Sequence, residues 1–295
     1  MIISEVPIVN KPELLDIYGF YVIIKLVISI GVFKMLYLVC CLVTLFACVL
    51  GTVCGMGGGI IIKPVLDAVG VMSVSAVTFI SGCTVIAMSC WSVGKTIVKK
   101  ESVPDKNSTP FLAVGAALGG VAGKQLFNLV AERFADRNTA GGVQAALLLI
   151  ATFATLLYTV RKDKITPRQV RSRAAAFAIG LILGLLGAFL GIGGGPFNVA
   201  VLCYFFSMPT KKATQDSLLI VLLSQLASTL QTVLTTGAPK LNPVLLVFMI
   251  AVAVAASEAG RQINRRIDNR QATVCLEGAM ILIMGISVYN MFKFF

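Results

Sequence analysis

The sequence predicts an all-α fold, a polytopic transmembrane helical bundle made of two inverted-topology repeats. Each repeat is expected to contain a GGG-broken helix or hairpin followed by three helices. Low charge, long uncharged runs and an internal repeat support this. The 295 residues are 57% hydrophobic and 13% charged, with a mean hydropathy of +0.91, whereas a soluble domain carries about 25% charged residues. Because so few charges cannot cover a surface that faces water, lipid is the expected solvent.

The uncharged runs are long enough to cross a bilayer, which takes about 20 apolar residues per helix. Residues 35–62, 174–210 and 217–239 contain no charged side chain. The segment before them, residues 1–33, has Glu5 and no positive charge in its first ten positions, which argues against a signal peptide. We interpret residues 1–33 as an interfacial segment, with an additional crossing as the alternative.

The chain contains an internal repeat. Gly51–Gly59 reads GTVCGMGGG and Gly187–Gly195 reads GAFLGIGGG, so that five glycines coincide at an offset of 136 positions (from 51 to 187). The register continues from Thr78 to Thr214 and from Ser81 to Ser217 without a gap. A packing motif alone would not keep register over this length. The predicted organisation is repeat 1 at 34–160, a cytoplasmic linker at 161–173 and repeat 2 at 174–295.

The basic loops predict the orientation. Arginines and lysines cluster in the linker 161–173 and at Arg265, Arg266 and Arg270, and such clusters lie on the cytoplasmic side of membrane proteins. Both clusters reach that side only if each half makes an odd number of crossings, which inverts one half relative to the other. Inverted repeats are typical of secondary transporters, with the binding site between the repeats, although channels also use them. Nucleic-acid binding is not expected, because no basic domain lies outside the membrane.

The two glycine triplets are the predicted substrate site. Three glycines cost a helix roughly 1 kcal/mol each, and the break frees amides that lipid cannot satisfy. A short helix that starts at the break directs its N–H groups and positive dipole end towards it, which suits an anion. Tight helix packing is the alternative, and we favour it for Gly51, Gly55, Gly187 and Gly191. The predicted site glycines are Gly57, Gly58, Gly59, Gly193, Gly194 and Gly195.

These motifs resemble those of the sulfite exporter TauE/SafE family of membrane transporters. The resemblance is carried by GMGGG at Gly55–Gly59, GIGGG at Gly191–Gly195 and Pro64, and it covers residues 36–292. The second half departs from the pattern, with Pro196 directly after its triplet. The resemblance implies a permease of the cytoplasmic membrane that exports or takes up small anions, often sulfur-containing ones such as sulfite or sulfonates.

Polar residues within the apolar segments are candidates for contact with the anion. Hydroxyl and amide groups can donate hydrogen bonds to anion oxygens, or they can join helices to one another. The candidates are Thr78, Ser81, Thr214, Ser217, Asn198 and Gln225.

Three ionisable residues are candidates for coupling. Lys63 and Asp67 lie four positions apart and could form a helical ion pair, either at the outer interface or in contact with substrate. Asp216 either stabilises a helix N-terminus or carries a coupling proton. We expect the long side chains of Lys124 and Arg261 to snorkel, so that their charged ends reach the interface. The alternative is that they attract anions to a vestibule. Glu258 and Glu277 could pair with arginines nearby.

Other chemistry is less well supported. The chain has no histidine, and none of its eight cysteines forms a CxxC pair, so no metal or cofactor is expected. Without histidine a Ser–His enzyme is excluded, and we predict that the protein is not an enzyme. A membrane-embedded enzyme that uses a carboxylate pair such as Asp67 and Asp216 is the less favoured alternative. The predicted function is alternating-access transport with a lipid bilayer, a small anion and protons as partners. An uncoupled anion channel is the first alternative. The sequence does not decide between a monomer and a homodimer.

Overall fold

The structure is a computed structural model that describes residues 35–70, 72–99, 108–133, 137–239 and 241–294. These residues form ten α-helices, one short 3₁₀ turn and no β-strand, so the predicted all-α class is confirmed. The interfacial segment predicted at 1–33 lies outside the described residues. The helices are α1 (Met35–Cys54), α2 (Gly59–Val69), α3 (Val74–Val98), α4 (Thr109–Arg133), α5 (Arg137–Arg161), α6 (Arg173–Phe189), α7 (Pro196–Phe206), α8 (Thr210–Thr236), α9 (Pro243–Arg266) and α10 (Asn269–Phe294).

Seven of the described helices are long and apolar enough to cross a bilayer, namely α1, α3, α4, α5, α8, α9 and α10. The other three are shorter, with 11 residues in α2, 17 in α6 and 11 in α7. The sequence places clear start signals before several helices, because the side chains of Ser73, Ser172 and Asn242 accept hydrogen bonds from amides of the first turn. The protein is therefore a multi-pass membrane protein.

Residues 41–295 form one compact unit, and the α1 residues before Cys41 fall in a separate unit. Within the larger unit, α4 and α6 pack backbone against backbone. A Cβ atom on Gly115, Gly119 or Gly123 of α4 would lie inside van der Waals contact with a carbonyl oxygen of α6, and Gly180 and Gly184 of α6 meet α4 in the same way. Glycines spaced by four allow this approach, so the predicted first half contacts the second through bare backbone.

A second close contact joins α9 to the later turns of α1. A Cβ atom on Gly260 would lie 2.7 Å from the carbonyl oxygen of Val49. The amide of Asn264 donates to the carbonyl of Val53 over 2.7 Å. Late in the repeat, the sequence AGKQ that ends at Gln125 matches AGRQ that ends at Gln262, so Gly123 and Gly260 are repeat partners. Related glycines therefore mark both close contacts.

One end of the bundle carries most of the basic loops. Lys162 Nζ donates to Thr210 Oγ1 over 3.0 Å and to Thr273 Oγ1 over 2.6 Å, which joins the end of α5 to the starts of α8 and α10. The backbone N–H of Arg168 donates to the carbonyl of Tyr204 near the end of α7. We call this the basic end, defined by Arg161, Lys162, Lys164, Arg168, Arg171, Arg173, Lys211, Lys212, Arg265, Arg266 and Arg270. The opposite end, which includes the end of α8 at Thr236, is called the cavity end.

Candidate functional site

The two glycine motifs interrupt the chain with the same backbone geometry. Gly55 and Gly57 have φ angles of +68° and +72°, and their repeat partners Gly191 and Gly193 have +70° and +73°. Only glycine adopts this left-handed region at little cost. Helix α1 ends at Cys54 and α6 at Phe189, just before these turns. The predicted interruption of both helices is therefore confirmed.

The two breaks contact each other in the interior of the larger unit. A Cβ atom on Gly59, at the start of α2, would lie 3.0 Å from the carbonyl oxygen of Ile192. One on Gly195, just before α7, would lie 3.3 Å from the Cδ1 of Ile60. The side chain of Val221 packs against Gly57 and Gly194. The short helices α2 and α7 therefore begin side by side, next to buried valine.

Some amides at the breaks already have partners. The N–H of Gly58 donates to the Met88 sulfur over 3.2 Å. The N–H groups of Ile192 and Gly193 both donate to the carbonyl of Gly187, over 3.1 Å and 3.0 Å. The hydroxyl oxygen of Ser81 lies next to Gly59. The breaks thus retain part of their hydrogen bonding within the protein.

Asn198 in the first turn of α7 is the exception. Its side chain is fully buried, and neither its amide nitrogen nor its amide oxygen has a partner among the described residues. The nitrogen would lie 2.8 Å from a Cβ atom on Gly194, so it is directed at the second triplet. Leaving a buried amide unpaired costs about 1–3 kcal/mol, which is the kind of cost that a bound ligand or water removes.

The main cavity has a volume of about 580 Å³ and lies between α3, α4, α8 and the second break. It extends to Thr236 and Gly237, so it reaches the cavity end. Gly191 and Gln225 lie at its inner limit, where the Gln225 amide oxygen packs against Gly193. Its polar and charged lining residues are Ser75, Thr78, Lys124, Asn128, Glu132, Gln225, Ser228, Thr229, Thr232 and Thr236.

The predicted hydroxyl residues lie in different places. Thr78 lines the main cavity, and its hydroxyl donates to the carbonyl of Val74. Thr214 lies against Gly55 and donates to Lys211, while Ser217 donates to the carbonyl of Gly55 over 2.6 Å. Their protons are directed at carbonyls, so in this conformation these hydroxyls present lone pairs to the surroundings.

Asp216 lies on the other side of the breaks, towards the basic end. Its carboxylate is buried and accepts a hydrogen bond from Thr109 over 3.1 Å. It lines a crevice of about 20 Å³ between α3 and α8, together with Ser92 and Thr96. This crevice is therefore much smaller than the main cavity.

The ion pair predicted from the spacing of Lys63 and Asp67 is confirmed. Lys63 Nζ and Asp67 Oδ2 are 2.8 Å apart, with side chains only 6% and 5% exposed. Lys63 also donates to the Gln144 amide oxygen over 3.2 Å, and the Gln144 nitrogen donates to the carbonyl of Phe189 over 2.7 Å. Gln144 thereby connects the ion pair to the last residue of α6, directly before the second break.

Several residues near the site were not singled out from the sequence. Gln144 is a polar residue in an otherwise apolar run, which indicates a buried polar contact. Ser287 and Asn290 lie three positions apart on α10, which places them on one face of that helix. Lys124 lines the main cavity, although the sequence favoured snorkelling. The predicted pairing of Glu258 is confirmed, because it forms a 2.7 Å ion pair with Arg261.

Metal-ligating side chains do not gather in the part of the chain that the structure describes. No group of three or more His, Cys, Asp or Glu residues that could hold a metal ion occurs there. The candidate site is thus built from glycine backbone, amides, hydroxyls and lysine.

Comparison with known proteins assigns the family. The model of the sulfite exporter TauE/SafE family matches residues 40–288. The protein YunE of Bacillus subtilis (strain 168), described as a probable membrane transporter protein, is 23% identical over 265 residues, which cover 81% of this chain and 92% of that protein. No solved structure matches the chain. The family match spans most of the chain, including both glycine breaks, and the protein is a membrane transporter that belongs to the sulfite exporter TauE/SafE family.

Proposed function

We propose that this protein is a permease that moves small anions across the cytoplasmic membrane by alternating access, with the substrate held at the second glycine break. Sulfur-containing or organic anions such as sulfite and sulfonates are the proposed substrates, in keeping with the family description. The main cavity carries the proposal, because it brings Lys124, hydroxyls and amides to the unwound backbone at Gly191.

The chemistry of the cavity suits an anion. Lys124 is the positively charged residue of its lining, and its ammonium group lies 5.6 Å from the ring centre of Phe127. A cavity of about 580 Å³ lies within the range of roughly 300–1,000 Å³ that small-molecule sites occupy. Glycine at position 191 lets a ligand approach the backbone closely. Glu132 lies at the exposed end of the cavity, far along α4 from Lys124.

Gln225 is proposed to separate the cavity from the deeper part of the site. Its amide oxygen packs against Gly193, and Asn198 lies beyond it next to Gly194. Movement of Gln225 would expose the unpartnered Asn198 amide to an anion in the cavity. The glycine triplets, Ser81, Asn198 and Gln225 would then form the inner site, and Thr78 its entrance.

Alternating access is favoured over an open channel by the asymmetry of the two sides. The large cavity reaches the cavity end, whereas the crevice at Asp216, on the other side of the breaks, has a volume of about 20 Å³. If the basic end lies in the cytoplasm, as basic loops do, the structure describes a conformation open to the outside. The inverted arrangement of the two halves is proposed to supply the opposite conformation.

Coupling to protons is proposed to involve buried carboxylates. Asp67 and Asp216 are both buried within membrane helices, where ionisable groups are usually functional. Thr214 and Ser217 lie next to Gly55 and Asp216, so they would respond to movement of the first break.

The test is flux into proteoliposomes that contain the purified protein. Sulfite, thiosulfate and small sulfonates are offered separately, with and without a pH gradient. We expect saturable flux of at least one of these anions, faster when the pH gradient favours it. Empty liposomes control for passive permeation of the protonated acid. A folded protein that moves none of these anions would refute the proposal.

A further inference from the structure

The backbone of the second break separates two cavities. We call residues Leu190, Gly191 and Ile192 the wall. Gly191 lines the main cavity, whereas its neighbours Leu190 and Ile192 line a small pocket of about 20 Å³ between α2, α5 and α10. This volume is enough for about one water molecule. The pocket also contains the Lys63–Asp67 ion pair. A single stretch of backbone therefore separates the ion pair from the main cavity.

Gly191 places Lys63 directly behind this wall. A Cβ atom on Gly191 would lie 3.0 Å from Cε and 3.3 Å from Cδ of Lys63. Lys124 lies in the lining of the main cavity, which Gly191 also lines. An anion at Gly191 would be attracted by both ammonium groups.

The pocket contains oxygen atoms without partners. Asp67 Oδ1, Ser287 Oγ and Asn290 Oδ1 are buried and have no hydrogen-bond partner in the described structure. The amide nitrogen of Asn290 is already used, since it donates to the carbonyl of Pro64 over 2.9 Å. The oxygens of Asp67 and Asn290 are acceptors that require a donor, and a water molecule supplies two protons. The ammonium of Lys63 opposes a metal cation at the same place, so water is the fitting occupant.

The charges around Asp67 couple proton uptake to anion binding. Lys63 on the same helix and Lys293 on α10 face it; Lys293 donates to the backbone carbonyls of Asp67 and Ala68. Helix α5 contributes the neutral amide of Gln144. An anion that draws Lys63 away leaves Asp67 as an uncompensated buried charge, which is costly. Protonation of Asp67 removes that charge.

We propose that Lys63 is shared between Asp67 and the transported anion, and that Asp67 takes up the coupling proton when the anion draws Lys63 across the wall at Gly191. This inference rests on the proposed function and assigns the proton to Asp67 and not to Asp216. The new O–H bond forms at the Asp67 carboxylate, and the proton leaves a hydronium ion that donates through the water of the pocket. No electron transfer is involved, and a monovalent anion crosses with about one proton, because charge is then balanced.

The experiment compares anion exchange with proton movement in the same proteoliposomes. Labelled sulfite serves as the probe for exchange at equal pH, and a trapped pH-sensitive dye reports proton movement during net sulfite flux. The variants are Asp67→Asn, which keeps the size and an acceptor for Lys63, and Asp216→Asn. Glu258→Gln is the control for loss of a carboxylate on a membrane helix, because Glu258 pairs with Arg261 outside the site.

The expected result for Asp67→Asn is sulfite exchange within about threefold of the unmodified protein and a proton-to-sulfite ratio that falls from roughly one to near zero, because the amide cannot take up the proton that a buried carboxylate binds. Glu258→Gln should keep both. Proton movement that persists in Asp67→Asn, or that disappears in Asp216→Asn alone, would overturn the inference while leaving the transport proposal intact. Loss of exchange in a folded Asp67→Asn protein would also overturn it, because the anion would then depend on Asp67 itself. Absence of sulfite flux in the unmodified protein counts against the proposed function for this anion.

Discussion

Lys124→Met is the variant that most directly tests the electrostatics of the main cavity. It removes the positive charge that the cavity lining contributes from α4 and keeps an apolar side chain of similar length. If the transported anion binds at the inner limit of the cavity, Lys124 attracts it there. The affinity for the anion should therefore fall, while the fold and the amount of protein are retained.

The magnitude follows from Coulomb's law. Two unit charges about 5 Å apart interact by roughly 3 kcal/mol at an effective dielectric constant of about 20. The cavity admits water, which screens the charges, so that about 1–3 kcal/mol is the expected loss. Since 1.4 kcal/mol corresponds to a tenfold change, the KM should rise roughly 5- to 150-fold.

The assay measures the initial rate of labelled sulfite flux against sulfite concentration. Lys124→Arg keeps the charge and should raise the KM by no more than a few fold. Lys95→Met removes a lysine that lies over the Trp91 ring on α3, outside the cavity lining, and should leave the KM unchanged. A KM for Lys124→Met within twofold of the unmodified protein would show that Lys124 does not attract the transported anion.

Two further predictions concern glycines. Gly119→Ala would place a Cβ against the Leu181 carbonyl oxygen, so we expect it to destabilise the fold by about 1–3 kcal/mol. The control is Gly94→Ala, where a Cβ would meet nothing within 4 Å. Its higher helix propensity should stabilise the fold by up to about 1 kcal/mol. Thermal unfolding in detergent measures both, and equal Tm values would contradict the close packing. Gly191→Ala adds about 1–2 kcal/mol of left-handed strain and pushes on Lys63; we expect a higher sulfite KM and fewer protons per sulfite. An unchanged sulfite KM together with an unchanged proton-to-sulfite ratio would show that the backbone at Gly191 does not affect how Lys63 meets the anion.

The elements that the sequence predicts well are those that depend on local pattern. The uncharged runs identify α1, and the predicted break at the first glycine triplet agrees with the end of α1 at Cys54, because three glycines disfavour a helix. The Lys63–Asp67 pair follows from a spacing of four on one helix. The matching φ angles of Gly55 and Gly191 reflect the duplicated motif.

The elements that the sequence does not predict depend on which helices become neighbours. Gln144 reaches Lys63 from 81 positions away, and Asn290 reaches Pro64 from 226 positions away. A periodic pattern on α5 or α10 cannot indicate these partners, because it specifies a face and not what packs against it. For the same reason Lys124 is indistinguishable from a snorkelling lysine until α3 and α8 are placed around it.

Counterflow of sulfite distinguishes alternating access from a channel. Proteoliposomes are loaded with unlabelled sulfite and diluted into a trace of labelled sulfite at equal pH. A transporter that exposes one site to alternate sides accumulates the label transiently above its equilibrium level, and we expect this overshoot. A label that only approaches equilibrium, without an overshoot, would contradict alternating access and favour a channel.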